Sequence, residues 1–176
     1  TTFPIPPVSA SFDVIQGTPK LSFDKGPDSR LGPGDSAPFN LTATNSGTSA
    51  VVDPVIVDPL PADLTAVPGV GGVPPYTISY VLPTGYPEPA TVEYTEIKGD
   101  PSNPPVPGCT DVNRVCKLSW SFPGFNLPPG GKISVQFNVE LTPGVVAGAT
   151  ITNTAGVHGA NPDLGCAGAS TSGPPF

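Results

Sequence analysis

Three polar residues occupy strand-like stretches at positions where apolar residues are otherwise found. Residues two apart in a strand point to the same face, so Lys25 shares a face with Phe23 and Asn153 with Ala155. Asp58 lies at the end of a third apolar stretch. In one core these groups can do covalent chemistry: a neutral amine attacks the amide carbon, while a protonated carboxyl polarises the amide carbonyl and transfers protons as ammonia leaves.

Two other interpretations of these residues remain open. A lysine beside Gly26 at a strand end can turn to solvent, and three inward polar groups can form a hydrogen-bonded ion pair without covalent chemistry. Glu96, in phase with Tyr94, is the second candidate for the acid. Asn45 is a weaker candidate for the amide, because a Thr-Asn-Ser-Gly turn favours an Asx turn.

The other lysines fit an inward position less well than Lys25. Each is out of phase with the apolar side of its strand or lies in a Pro-rich stretch: Lys20, Lys98, Lys117 and Lys132.

The cysteines predict a second cross-link. Cys109 and Cys116 are close enough in sequence to close a short loop by a disulfide, which also indicates an oxidising, exported setting. Cys166 is left over, either free or paired with a neighbouring module or chain; the alternative is that it pairs with Cys109 or Cys116.

Residue patterns for chemistry on external substrates are sparse. His158 is the single histidine and is out of phase with its apolar neighbours, which argues against a Ser/His/Asp triad or a zinc site. The sequence has no phosphate-binding glycine loop and no nucleophile elbow. Loop acids that could bind Ca²⁺ lack the spacing of a calcium loop and are better explained as solvated charges: Asp53, Asp63, Asp100 and Asp111. We therefore expect no enzyme, no cofactor and no metal.

The elements that must position these residues are short strands. Residues 133–141 alternate apolar and polar types, which is typical of a half-buried antiparallel strand. Similar stretches recur along the chain between turns rich in Gly, Pro and Asn, and no helical period persists. This pattern predicts an all-β fold: an antiparallel β-sandwich of about nine or ten strands.

Composition and charge indicate a folded domain and argue against some classes of function. The 176 residues include Gly 21 and Pro 27, a content typical of many turns, while 37% hydrophobic residues are enough for a core. Lys+Arg 7 against Asp+Glu 14 gives a net charge of -7, which disfavours binding to the negatively charged backbone of a nucleic acid. No apolar run approaches the roughly 20 residues of a membrane span, so membrane insertion is not expected.

Six short motifs in order resemble the DUF11 repeat domain. They are 21–25 (LSFDK), 34–36 (GDS), 41–47 (LTATNSG), 57–64 (VDPLPADL), 127–131 (LPPGG) and 151–155 (ITNTA). The resemblance covers about 21–158, interrupted by residues 69–116. It implies an immunoglobulin-like sandwich, one of several modules in an extracellular bacterial cell-surface or fimbrial protein. It also implies kinship with fimbrial domains that form an intramolecular Lys-to-Asn isopeptide bond.

We therefore expect a linker at 1–8, a sandwich at 9–158 with a Pro-rich insertion at about 69–116, and a Gly/Ser/Pro-rich tail or linker at 159–176. The expected function is a structural or stalk module of a secreted adhesin, hardened by a bond between Lys25 and Asn153 with Asp58 as the acid. Its expected partners are neighbouring modules of the same surface protein. The alternative is an adhesin module whose insertion, rich in tyrosine, binds a host or matrix ligand.

Overall fold

The strands of this protein form two five-stranded antiparallel sheets and one small two-stranded sheet. The computed structural model describes residues 17–26, 32, 34–146, 148–162 and 164–173, with the side-chain surroundings given as far as residue 168. The expected linker at 1–8 and the start of the expected sandwich at 9–16 lie outside these ranges.

Twelve strands are present in the described ranges. They are β1 (Leu21–Gly26), β2 (Ser36–Asn45), β3 (Val51–Val52), β4 (Val55–Pro59), β5 (Leu64–Ala66), β6 (Tyr76–Val81), β7 (Glu93–Lys98), β8 (Val115–Ser121), β9 (Asn126–Leu127), β10 (Lys132–Leu141), β11 (Ile151–His158) and β12 (Ala167–Gly173).

The first sheet is built around β10, the strand with the clearest alternation in the sequence. It has the order β1-β2-β10, and β5 and β6 both pair with β10 on its far side, at different ends. Ile133, Val135 and Val139 on β10 are fully buried, while the polar residues between them are not. This confirms the antiparallel, half-buried strand that the period of two predicts.

The second sheet has the order β12-β11-β4-β8-β7 and packs against the first to enclose the core. Trp120 on β8 and Phe137 on β10 meet across the interface with ring centroids 5.3 Å apart. β1 and β12 are neighbours at one side of the sandwich. The architecture is the immunoglobulin-like all-β sandwich that the sequence predicts.

Two regions outside the six matched motifs contribute strands to the sheets. The expected insertion at 69–116 supplies β6 to the first sheet and β7 to the second. The expected tail at 159–176 contains β12, which pairs with β11 from Ile151 to Val157. β12 consists of small residues without apolar alternation, and its backbone pairs with β11 along the whole strand.

Candidate functional site

Lys25, Asp58 and Asn153 meet between the two sheets, and we call them the amine–acid–amide cluster. Lys25 comes from β1 in the first sheet, while Asp58 on β4 and Asn153 on β11 come from the second. The side chains of Lys25 and Asp58 have 0% exposure, and Asn153 is 1% exposed. The cluster is therefore isolated from bulk water.

The acid lies between the amine and the amide. Lys25 Nζ donates a hydrogen bond to Asp58 Oδ2 over 2.7 Å, and Asn153 Nδ2 donates to the same oxygen over 3.3 Å. Asp58 Oδ1 and Asn153 Oδ1 are buried and have no hydrogen-bond partner among the described residues. One carboxyl oxygen therefore holds both nitrogens, while the amide oxygen remains free.

Strand register explains how the sequence brings these residues together. β4 pairs with β11 in the register Val57 to Gly156 and Ile56 to Val157. Continuing that register places Asn153 diagonally across from Asp58 on the same face of the sheet. Lys25 reaches the cluster from the opposite layer because it is inward-facing on β1.

The amine lies against one end of a chain of aromatic side chains. Lys25 Nζ lies 4.9 Å from the centroid of the Phe39 ring. Phe39 contacts Phe137 edge to face, and Phe137 in turn contacts Trp120. These rings exclude water, which lowers the local dielectric and disfavours separated charges.

Burial shifts both ionisable groups toward their neutral forms. Desolvation lowers the pKa of the Lys25 amine, although the Asp58 carboxylate acts in the opposite direction. Desolvation likewise raises the pKa of the Asp58 carboxyl, against the opposing effects of Lys25 and Asn153. A neutral amine is a nucleophile and a protonated carboxyl is a general acid, so the cluster contains the groups that amide-bond formation requires.

The remaining candidates for this chemistry lie elsewhere. Glu96 is exposed on β7, where its Oε1 accepts a hydrogen bond of 2.6 Å from the Tyr94 hydroxyl. Asn45 is fully buried, but its amide is hydrogen-bonded to the main chain. Its Nδ2 donates to two carbonyls, and its Oδ1 accepts from the Gly47 N–H, as in an Asx turn. Lys20, Lys98 and Lys132 are exposed, and Lys117 is half-buried.

Cys109 and Cys116 form a disulfide with their Cα atoms 6.1 Å apart, whereas Cys166 is free and exposed. The disulfide closes a loop that carries Arg114, a buried cation whose role no pattern in the sequence predicts. Its guanidinium donates to main-chain carbonyls that follow β4. A lone arginine in a loop gives no sequence signal for such a role.

The described residues contain no group of three His, Cys, Asp or Glu side chains arranged to hold a metal ion. Two of the loop acids considered for Ca²⁺ bind the main chain instead: Asp53 Oδ1 accepts from the N–H of Gly124 in a distant loop, and Asp111 Oδ1 accepts from the Asn113 N–H within its own turn. His158 is exposed at the end of β11.

A surface groove of about 600 Å³ lies beside the first part of the expected insertion. Its lining includes Val70, Val73, Tyr76 and Phe137. Val70 and Val73 are 81% and 67% exposed, which is unusual for valines and marks an apolar surface.

Comparisons with known proteins give a likeness in fold. No family model and no curated protein sequence matches the chain. Among solved structures, BcpA, the major pilin subunit of Bacillus cereus, aligns with a TM-score of 0.54 and 13% identity, over 92% of this chain and 41% of that one. The N-terminal domain of the Streptococcus gordonii adhesin Sgo0707 aligns with a TM-score of 0.50 and 12% identity, over 89% and 32%.

The RrgA Jo.In complex aligns with a TM-score of 0.51 and 15% identity, over 86% of this chain and 75% of that one. The chain thus spans less than half the length of the pilin and adhesin chains above. These neighbours show that the sandwich is of the type found in bacterial pilin and adhesin domains. Among the described residues there is no helix whose length and hydropathy would allow it to cross a bilayer.

Proposed function

We propose that the chain is a structural module of a bacterial cell-surface pilus or adhesin protein, hardened by an isopeptide bond that it forms between Lys25 and Asn153. The observation that carries this proposal is the shared contact at Asp58. Lys25 Nζ and Asn153 Nδ2 both lie within hydrogen-bond distance of Asp58 Oδ2, in a core without solvent exposure.

The reaction balances without an oxidant or an added cofactor. The lone pair of the neutral Lys25 amine attacks Cγ of Asn153. Once the amide turns so that its oxygen rather than Nδ2 faces Asp58, the carboxylic acid stabilises the charge that develops on that oxygen. Asp58 then carries a proton from the attacking nitrogen to the leaving one. One C–N bond forms, one breaks, and ammonia leaves, so the acid is regenerated.

Burial supports this direction of reaction. An ion pair at this position carries a large desolvation penalty, and two oxygen atoms of the cluster lack hydrogen-bond partners. Bond formation replaces the buried amine by a neutral secondary amide. Since the amine and amide are consumed, the module carries out one turnover on itself and none on an external substrate.

Other features support the extracellular setting. The disulfide between Cys109 and Cys116 suits an oxidising compartment. The fold neighbours named as a pilin and an adhesin come from bacteria, and this sandwich corresponds to part of their length. On this proposal the partners are neighbouring modules of the same surface protein.

Intact mass spectrometry of the reduced protein tests the proposal. The wild-type chain should weigh one ammonia less than its sequence, and a protease digest should contain a branched peptide joining Lys25 to Asn153. Lys25→Arg, Asp58→Ala and Asn153→Ala should each have the full mass. Lys20→Arg, a change at an exposed lysine before the same strand, is the matched control and should retain the loss. A full mass for the wild type would refute the bond.

A second function is favoured by the groove at Val70 and Val73. In this alternative, the segment 69–116 binds a host or matrix ligand through an apolar surface. Arrays of glycans and matrix proteins would test it, comparing the wild type with a Val70→Asp/Val73→Asp variant. Saturable binding that the variant loses supports an adhesin role, and equal signals from both proteins exclude this groove.

A further inference from the structure

We propose that Arg114, held by the Cys109–Cys116 disulfide, is a positioning residue for Asp58 in the bond-forming reaction. The proposal rests on the function proposed above and assigns that site a supporting element. Arg114 lies in the loop before β8, on the side of β4 opposite to β11.

The segment after Asp58 is poorly supplied with backbone donors. Pro59 and Pro61 have no N–H, so neither can donate to a neighbouring strand. Of the residues between Asp58 and Ala62, Leu60 therefore supplies the single N–H, which donates to the Cys116 carbonyl over 2.8 Å. The strand end that carries the acid needs further support.

Arg114 provides this support from its side chain. Its Nε donates to the Leu64 carbonyl over 3.1 Å, and its Nη2 donates to the Leu60 carbonyl over 3.1 Å and also to the Pro61 carbonyl. Arg114 is only 9% exposed. A buried guanidinium with three carbonyl acceptors fixes the path of the chain immediately after Asp58.

The disulfide fixes Arg114 in turn. Cys109 and Cys116 are fully buried, and the loop that they close places Arg114 two residues before Cys116. The main chain of Arg114 is also held, since its N–H donates to the Asp111 carbonyl and its carbonyl accepts from the Gly99 N–H, each over 3.0 Å. β8 continues from this loop to Leu118, which pairs with Asp58.

Arg114 acts on Asp58 through geometry rather than through charge. The groups that shift the pKa of Asp58, besides burial, are Lys25 and Asn153. A carboxyl that must hold an amine and an amide at once tolerates little displacement, and a misplacement of about 1 Å can slow a reaction by about 100-fold. Loss of the Arg114 contacts should therefore slow bond formation without changing the protonation of the acid.

The rate of ammonia loss tests this inference. The full chain is synthesised in a cell-free system under oxidising conditions, samples are stopped with acid at intervals, and intact mass is measured after reduction. We expect Arg114→Met and Cys109→Ala/Cys116→Ala to form the bond about 10- to 100-fold more slowly than the wild type. Arg114→Lys keeps a cation and one donor group, so it should form the bond at a rate between those of Arg114→Met and the wild type.

Leu127→Ala is the control for a general loss of stability, because it removes a fully buried side chain from β9, which pairs with β3 in the small sheet. It should form the bond at the wild-type rate. An equal rate in Arg114→Met and the wild type overturns this inference alone, whereas a wild type that never loses ammonia overturns the proposed function as well. If Arg114→Met does not fold, a wild-type rate in Arg114→Lys and in the double cysteine variant overturns the inference.

Discussion

The two buried polar clusters of this sandwich differ in how completely their hydrogen bonds are made. Arg114 donates to three carbonyls, and the Asp63 and Asp111 carboxylates are near enough to favour its charge. The amine–acid–amide cluster instead leaves one oxygen of Asp58 and the oxygen of Asn153 without a hydrogen-bond partner in the part of the chain that the structure describes. Burial lowers the pKa of the Arg114 guanidinium too, against the opposing Asp63 and Asp111 carboxylates, but an arginine starts from 12.5 and stays a cation near neutral pH. Burial drives both Lys25 and Asp58 toward neutrality.

This difference is the one expected between a structural polar group and the reactive cluster proposed above. Buried polar atoms in folded proteins are almost always paired, so an incompletely paired cluster calls for an explanation. At Arg114 every contact holds a chain segment in place. In the other cluster burial shifts the amine and the carboxyl toward the neutral forms that a nucleophilic attack on an amide requires.

The largest expected effect is on the free energy of unfolding when the bond is removed. A cross-link from Lys25 to Asn153 closes a loop of roughly 130 residues, which restricts the unfolded chain by about 5 kcal/mol in the entropy model. Asn153→Ala should therefore unfold at much lower denaturant concentration than the wild type, as followed by circular dichroism. Thr154→Ala, at the exposed neighbouring position, is the control. Equal midpoints for wild type and Asn153→Ala would contradict the cross-link.

The next effect concerns the ion pair in a chain that cannot form the bond. In the Asn153→Ala background, Asp58→Leu leaves the Lys25 amine buried without its acid and should cost about 3 to 5 kcal/mol. Adding Lys25→Met removes the stranded charge, so this variant should regain most of that stability in urea unfolding. The idea fails if adding Lys25→Met brings no gain.

A smaller effect is expected on the pH dependence of stability in Lys25→Met, a variant that keeps Asp58 but lacks the amine. In Lys25→Met the carboxyl of Asp58 remains buried and loses the amine that opposes the rise in its pKa. Because its folded pKa lies above the ordinary value of 3.8, its contribution to stability is complete below pH 3.8 and is lost as the pH rises through the folded pKa.

Thermal unfolding of Lys25→Met from pH 3 upward should therefore show a stability that falls by up to about 1.4 kcal/mol per pH unit, relative to Lys25→Met/Asp58→Asn. The second variant has no titrating group at this position and provides the baseline. Parallel pH profiles for the two proteins would show that Asp58 is not protonated more readily in the folded state.

The smallest effect is expected at the alternative acid. Glu96 is exposed and far from the cluster in the sheet order, at the outer strand β7. Glu96→Gln should change the unfolding free energy by no more than about 0.5 kcal/mol and should leave the ammonia loss complete. A full-mass product from this variant would reverse the assignment of the acid.

The sequence predicts those strands in which apolar and polar residues alternate. β10 is recognisable because its inward residues are large and apolar, and the inward position of Lys25 follows from Leu21 and Phe23 on the same face. β12 could not be predicted, since its sequence of small residues shows no apolar alternation and its pairing with β11 depends on the folded sheet.

The candidate site, like the fold, contains some residues that the sequence predicts and others that it does not. Phase within a strand predicts which residues point inward, but the choice between Asp58 and Glu96 depends on which strands become neighbours in space. β4 lies next to β11, whereas β7 is separated from it by two strands. Arg114 could not be identified from sequence because its partners are main-chain carbonyls, which any residue provides.

The position of Lys25 near the end of β1 and of Asn153 near the start of β11 determines how the module would respond to a mechanical load. A covalent bond at these two points transmits tension directly from one to the other. The roughly 130 residues between them, at about 3.3 to 3.6 Å each, then add nothing to the length of a stretched chain. A fibre built from such modules would be nearly inextensible over that part of its sequence, and its compliance would reside in the segments outside the bond.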